Sequence, residues 1–477
     1  ALCYATENER KEFDNLKISF EDWNGNIEAG LLNKFLRSVQ KQVSVCALGK
    51  NYAGHLIGIR DVMQQLEGSL IWQPEKSRQK IVNALNYILE DGRPPRQFSV
   101  PSSDDIMPEM DLREFIDQGV WIISTVYSYL AFTDDYSILD EKCSYYVVNE
   151  ENTYVTQKSE ICDTVLEHLI RIMSFLSSNL DSEYGSNCLR ALYGDWNDSI
   201  NGLGRTDDTD KKFGSGVSVM ASLQFYRNCQ EMIEILSKIK KFQEKIPEYQ
   251  MYRDNIEKGL FKYAVDKDDD GNRRIIHGWG DEYSYKVGSF NDPDGVSRLS
   301  STANSFWAIS GMIEKDKSLK SVIKKTFDEL NSKYGLLTFD KPFGPDIERE
   351  VGRISGITKG TYENCASYVH AAMFAGMALF SIGESQKAWE ELEKSIVISH
   401  SNCSMTPFVM PNSYCYNAEL GIDGESMGDW YTGSGTVLIK EIVKYGFGIN
   451  PDLEGIKISM PRVMPCKKAE ISIIIKG

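Results

Sequence analysis

Apolar residues recur at intervals of three and four along most of this chain. Ile116, Val120, Ile123, Tyr127 and Leu130 form one stripe, and Val165, Leu166, Leu169, Ile172, Met173 and Leu176 form another. That spacing gathers side chains on one face of a 3.6-residue helix, so it predicts amphipathic helices. The runs VSVMASLQFYRNCQEMIEILSKIKKF, SSTANSFWAISGMI, SYVHAAMFAGMALFSIG and ESQKAWEELEKSIV read the same way. Loops rich in Gly, Asp and Pro separate them. Strands and helices do not alternate, and neither a short repeat nor sustained heptads occur. Antiparallel helix pairs build a bundle, a solenoid or a closed double ring. The long loops carry the polar and aromatic residues, which favours the ring, where loops at one rim assemble a site. The Ala-, Gly- and Met-rich run from Ala366 to Ala378 suits a closely packed inner helix. Near the end the pattern changes: GIKISMPRVMP and AEISIIIKG read as strands of a small β cap. DKDDDGNRR begins like a calcium loop, but its twelfth position is His277 instead of Glu, so a hairpin turn is expected.

Composition narrows the classes. Of 477 residues, 53 are Lys or Arg and 69 are Asp or Glu, for a net charge of −16; 42% are hydrophobic, enough for a large core. The acidic balance argues against nucleic acid or an anionic membrane as the main partner. No apolar run approaches the roughly 20 residues that span a bilayer. Ten cysteines occur without a CxxC pair, and Cys188 and Cys229 fall in apolar patterns. Such thiols pack as small hydrophobes in a reducing compartment. The five histidines are too scattered for a set of metal ligands. ALCYATENERKEF passes from a β-like segment into a charged helical pattern, which suggests a chain that begins within a larger protein.

The loops carry the candidate chemistry. GDWND places Asp195, Trp196, Asn197 and Asp198 in one turn. Turns and caps account for any single Asp or Asn there. A tryptophan face beside carboxylates is also how a sugar ring is held, by stacking and by hydrogen bonds to its hydroxyls. A partly desolvated carboxyl has a raised pKa and serves as an acid near neutral pH. GIRDVMQQLEG sets Arg60 beside Asp61 after Gly58, a pattern shared by ion pairs and helix caps. In TYENCASYVHA, Glu363 and His370 lie seven residues apart and share a face if the segment is helical; a lone His there is commonly a satisfied core residue. GDWYTGSGT offers Thr432 and Ser434 among Gly428, Gly433 and Gly435. Glycines let backbone N–H groups approach an anion, although no GK[ST] follows to make a Walker A loop.

Together LYGDWND, GIRDVMQQLEG, YENCASYVHA and DWYTGSG resemble, in content and order, the inverting β-glucan phosphorylases of glycoside hydrolase family 94. SRLSSTANSFWAISGMI and the terminal strands extend the resemblance over most of the chain. It implies a mainly α fold: an (α/α)6 barrel at 41–448, with a small C-terminal β domain at 449–477. Residues 1–40 are then the end of an N-terminal β domain and helical linker that is mostly missing here. The resemblance also implies roles. Asp198 is the general acid and Trp196 a wall of the sugar site; Arg60 and Asp61 hold the donor sugar; Glu363 contacts the acceptor; His370, Thr432 and Gly433 bind phosphate. It implies reversible phosphorolysis of β-linked gluco-oligosaccharides to α-glucose 1-phosphate. Inorganic phosphate is the co-substrate, without a cofactor or metal. The full-length protein is expected to be a homodimer in the cytoplasm, because a sugar phosphate conserves bond energy only inside a cell.

Some positions depart from the family pattern. Many members carry an arginine six residues before the RD aspartate, where this chain has His55. A further arginine, eleven residues earlier, has no clear counterpart, with Lys50 nearby. ILEDGRPPRQFSVP, bearing Arg93 and Arg96, stands in place of the HWW loop of cellobiose phosphorylases. With FVMPNSY, it leans toward the 1,2-β-oligoglucan phosphorylase branch. Arg93 and Arg96 either touch sugar or phosphate or pin the PP turn.

An inverting hydrolase needs an acid and a base that activates water. A phosphorylase needs only the acid, because phosphate is already an anionic nucleophile. One acid candidate and a His/Thr/Gly anion site therefore fit phosphorolysis, with His370, Arg60 and helix N-termini expected to supply the local positive potential. The competing readings are a cellobiose- or cellodextrin-type phosphorylase, a hydrolase on the same barrel with Glu363 as base, and a non-catalytic carbohydrate-binding toroid.

Overall fold

The periodic stretches fold as helices. A computed structural model describes residues 11–48, 55–103, 106–149, 155–401, 408–428 and 432–476. Its longer α-helices are α1 (Ala29–Leu48), α2 (Ile59–Ser69), α3 (Pro74–Leu85), α4 (Gln118–Thr133), α5 (Val165–Ser178) and α6 (Val219–Ile239). They continue as α7 (Ile246–Tyr263), α8 (Ser301–Ile309), α9 (Leu319–Glu329), α10 (Val369–Ile382), α11 (Ser385–Ser395) and α12 (Ser434–Lys440). Small sheets of two or three strands complete a mainly helical structure.

The even-numbered helices follow one another in space. α2 packs on α4, α4 on α6, α6 on α8, α8 on α10 and α10 on α12, and α12 returns to α2. The odd-numbered helices lie against them: α1 on α2 and α12, α3 on α2 and α4, α5 on α4, α7 on α6, α9 on α8 and α10, α11 on α10. Composition explains the division. α10, which contains most of the Ala366–Ala378 run, is apolar all round and buried except at Phe380 and Ser381. A helix of that kind needs neighbours on every side. By contrast, α9 buries one stripe, Leu319, Ile323, Thr326 and Phe327, and leaves its charged face in solvent. Close approach selects glycine at Gly68 of α2, where a Cβ would collide with Thr436 of α12. α5 starts at a capping box, in which Thr164 Oγ1 accepts from Glu167 N at 3.2 Å and Glu167 Oε2 accepts from Thr164 N at 2.8 Å.

β1 (Leu16–Trp23) pairs antiparallel with β6 (Cys466–Ile473), Leu16 opposite Ile473. Between them in sequence come β2 (Lys142–Val148), paired with β3 (Thr156–Thr164), and β4 (Ile449–Pro451), paired with β5 (Ile456–Ile458). The boundary expected at residue 40 falls inside α1, and β1 shares its sheet with a strand from the expected C-terminal cap. DKDDDGNRR forms the expected hairpin: Val265–Lys267 pairs antiparallel with Arg273–Ile275, and Gly271 takes a φ of 79° in the turn. The eight described cysteines are free thiols, and six of them, including Cys188 and Cys229, are buried.

Candidate active site

Several helices of the inner series begin at a short strand. Ile57–Gly58 leads into α2, Val217–Ser218 into α6 and Ser367–Tyr368 into α10. These strands pair with strands from the long loops, which ties the loops to the N-terminal ends of the inner helices. A cavity opens there. It is lined by Arg60 and Asp61 from the first turn of α2, and by Trp196 and Asp198 from the GDWND turn. Glu363, His370, Thr432 and Gly433 complete the set of residues singled out from the sequence. Gln64, Gln65, Tyr368 and Asn412 line it too. The cavity encloses about 90 Å³, well below the roughly 300–1,000 Å³ of ordinary ligand pockets.

The two aspartates of GDWND face different tasks. Asp195 is buried and braces the turn: its Oδ1 accepts from Asn197 N at 2.8 Å and its Oδ2 from the Ser218 hydroxyl. Burial pushes it up to about 6. Asp198 borders the cavity, with Oδ1 on Arg60 Nη2 at 3.0 Å and Oδ2 on Arg96 Nη2 at 2.6 Å. Burial raises the Asp198 carboxyl, but Arg60 and Arg96 outweigh it and hold the group below the ordinary carboxylate range. The raised pKa expected from the sequence is therefore corrected: in this arrangement Asp198 is a paired carboxylate.

Arg60 is buried and shared. Its Nη1 donates to Asp117 Oδ2 at 3.0 Å and to the Asp195 carbonyl at 3.1 Å. Asp117 sits immediately before α4, is fully buried, and also accepts from Trp121 Nε1 at 3.1 Å. Burial pushes its carboxyl up to about 6, against the pull of Arg60.

The aromatic wall forms around Trp196, whose ring meets Tyr368, His370 and Phe374 edge-on with centroids 5.2 to 5.5 Å away. His370, in the first turn of α10, is buried; its Nε2 has no hydrogen-bond partner among the described residues. Burial, with Arg60 and Lys440 nearby, pulls it down to about 3, so the imidazole is neutral. His370 accordingly contributes a donor and no positive charge, contrary to the expectation from sequence; the positive end of α10 remains. Gly433 lies against this ring: a Cβ there would sit 2.5 Å from His370 Cε1. Thr432 Oγ1 accepts from Ser434 N at 3.2 Å, and its carbonyl accepts from Gln65 Nε2 at 2.7 Å.

Glu363 and His370 meet in the cavity, but not through a shared helical face. α10 begins at Val369, and Glu363 stands in a turn where Tyr362 and Cys365 have φ values of 45° and 70°. Asn364 pins that turn, donating to the carbonyls of Phe343 at 3.1 Å and Ile357 at 2.8 Å. Burial raises the Glu363 carboxyl, and Asp198 adds to the rise.

The profile of the Glycosyl hydrolase 94 superfamily, catalytic domain, matches residues 37–448. The chain belongs to this family. It is 27% identical over 443 residues to the solabiose phosphorylase of Paenibacillus borealis, covering 90% of this chain and 50% of that protein. It is 22% identical over 457 residues to the 3-O-β-D-glucopyranosyl-β-D-glucuronide phosphorylase of the same organism, covering 92% of this chain and 52% of the relative. The chain thus spans about half the length of these relatives. Its fold is similar to that of the GH63 mannosylglycerate hydrolase of Thermus thermophilus, with a TM-score of 0.57 at 12% identity, over 86% of this chain and 99% of that one.

Within the family 94 chain, two residues near the motifs, His55 and Arg93, lie outside the cavity lining. His55 is exposed at the rim, its Nε2 2.7 Å from Glu109 Oε2. Arg93 bonds Glu114 at 2.8 Å and its own turn, where its backbone N donates to Asp91 Oδ1 at 2.8 Å. Lys50, and Asp429, Trp430 and Tyr431 of GDWYTGSGT, lie outside the described residues. Motif reading missed the contacts of Arg96, which bonds Asp198, and of Asp117, which bonds Arg60. The only trace of Asp117 in the sequence is an acidic residue heading the apolar run QGVWIISTVYSYLAF. No group of metal-ligating side chains gathers among the described residues, and none of their helices is long and apolar enough to cross a membrane.

Proposed function

We propose that this chain carries the catalytic site of an inverting β-glycoside phosphorylase, built on an (α/α)6 barrel whose inner ring is the even-numbered helices. The observation that carries the reading is the single cavity that holds Asp198 together with His370, Thr432 and Gly433. Asp198 is the general acid. Trp196, Arg60 and Asp61 hold the donor sugar, and Glu363 meets the acceptor. Inorganic phosphate, the co-substrate, binds at His370, Thr432 and the backbone at Gly433, where a neutral imidazole and the head of α10 favour an anion. Phosphate attacks the anomeric carbon from the face opposite Asp198. The bond from that carbon to the glycosidic oxygen breaks as Asp198 protonates the oxygen, and an α-sugar 1-phosphate leaves.

The phosphorylase names of the relatives support this class of reaction. The substrate is proposed to be a β-linked gluco-oligosaccharide, with a lean toward the 1,2-linkage from the loop around Arg93 and Arg96. The protein is proposed to be a cytoplasmic homodimer. The test is incubation of the full-length protein with β-1,2-, β-1,3- and β-1,4-linked glucans, with and without inorganic phosphate, followed by phosphorus NMR. Phosphate-dependent appearance of an α-sugar 1-phosphate is expected. Sugar release at equal rates without phosphate removes the proposal in favour of hydrolysis.

A further inference from the structure

The cavity has three carboxylates, Asp61, Asp198 and Glu363, and only Asp198 is ion-paired among the described residues. The two arginines on Asp198 are held differently. Arg60 is locked at the head of α2 by Asp117 and the Asp195 carbonyl. Arg96 reaches in from the excursion between α3 and α4. Its backbone N donates to the Asp111 carbonyl at 2.8 Å, and its carbonyl accepts from Ile59 N at 3.3 Å. Its guanidinium lies 4.9 Å from the Phe115 ring centroid, and its Nη1 rests on Asp111 at 3.1 Å. Asp111 is in turn fixed by Arg113 at 2.6 Å. Arg96 can therefore give up Asp198 and keep a paired charge on Asp111. The small cavity, about 90 Å³, also requires side chains to move before a sugar enters.

We propose that Arg96 is a positioning residue that latches Asp198, gripping its Oδ2 until the glycosidic oxygen of an entering sugar takes that place. This rests on the reading of Asp198 as the general acid. Released from Arg96, Oδ2 takes a proton from solvent and passes it to the glycosidic oxygen. The bond from the anomeric carbon to that oxygen breaks, and the bond to phosphate oxygen forms. The phosphate gives its own proton to solvent, and the ionised Asp198 returns to Arg96. The latch thus keeps the acid charged in the free protein and frees it only where its proton is needed.

Other charges face Asp198. Arg60 comes from α2, Asp117 from the head of α4, Asp195 from its own turn, and Glu363 and Tyr368 from the segment before α10. Arg353 donates from Nε to the Asp198 carbonyl at 3.1 Å. Among the described residues only Arg96 and Arg60 touch the carboxylate itself, and together they outweigh burial.

The experiment is the pH dependence of kcat/KM for phosphorolysis by the full-length protein and its Arg96→Gln and Arg96→Lys variants. The alkaline limb reports the acid in the free enzyme. In Arg96→Gln it is expected to move up by at least about one pH unit, the lower end of what one adjacent guanidinium does to a carboxyl. kcat should fall far less than the roughly 10²–10⁴-fold cost of losing a general acid. Arg96→Lys, a point charge without the fork that spans Asp198 and Asp111, should move the limb less, in the same direction. An unmoved limb in Arg96→Gln overturns the latch; if thermal melts show that variant unfolded, an unmoved limb in Arg96→Lys does so. Asp198→Asn separates the two ideas. Near-normal phosphorolysis in Asp198→Asn removes the acid role and the latch with it, whereas lost turnover with an unmoved limb removes the latch alone.

Discussion

Asp198 and Glu441 are both enclosed carboxyls near α12, and the protein holds them in opposite charge states. Glu441 begins the π-helical turn Glu441–Gly446 behind α12 and packs over Gly376 of α10. It is fully buried, and neither of its oxygens has a hydrogen-bond partner among the described residues. Burial alone pushes its carboxyl far above the ordinary range, so it is neutral. Asp198, at the rim, is held ionised by two guanidinium groups. Glu67 of α2 supports the same rule: burial raises it, yet Lys440 and Arg227 outweigh that and keep it charged. Nearby cations, more than depth, decide which interior carboxyl is charged. At the rim one of the cations, Arg60, also lines the cavity, and Arg96 reaches it through Asp198, so the charge there is available to a ligand. Around Glu441 no such pairing forms among the described residues.

That contrast breaks first at Asp198. Asp198→Asn keeps the shape and removes the proton donor, so turnover is expected to fall by roughly 10²–10⁴-fold with little loss of sugar binding. Steady-state kinetics beside a sugar-binding titration check it; near-normal phosphorolysis would contradict the role. Next comes the stability of the rim. Arg60→Met strands Asp117 and part of Asp198 without their partner, and removing one member of a buried pair typically costs about 3–5 kcal/mol. Urea unfolding measures it, and a loss under about 1 kcal/mol would show that the carboxylates simply take up protons and relax.

Glu441→Gln gives the smallest effect and the sharpest sign. The folded-state pKa of Glu441 is raised, so its contribution is fully present below the unfolded value, about 4.3, and is lost as pH rises above it. Gln does not titrate. The variant should match the wild type near pH 4 and become the more stable of the two toward pH 8. Thermal melts across that range decide the matter: parallel curves would mean that Glu441 is not held neutral.

Much of the plan was legible along the chain. Apolar stripes at three and four placed α4, α5, α6 and α8, and the Ala-rich run marked α10 as an inner helix, because helix periodicity and burial on all sides are local signatures. The motifs named eight of the residues that line one cavity. What escaped reading came from groups far apart in sequence. Arg96 and Asp198 are 102 positions apart, and Arg60 and Asp117 are 57 apart. Nothing in PPRQF or REFIDQG announces those pairings.

The sequence by itself determined the helices, the inner character of the Ala-rich run, the hairpin after Val265 and the residue types that line the cavity. Each depends on neighbours within a turn or two, or on residue type alone. The charge on Asp198, the neutrality of His370 and Glu441, and the joining of Leu16–Trp23 to Cys466–Ile473 were decided only by tertiary structure. Electrostatic energy depends on distance through space and on excluded water, and strand pairing on which edges meet, and neither quantity exists until the chain has folded.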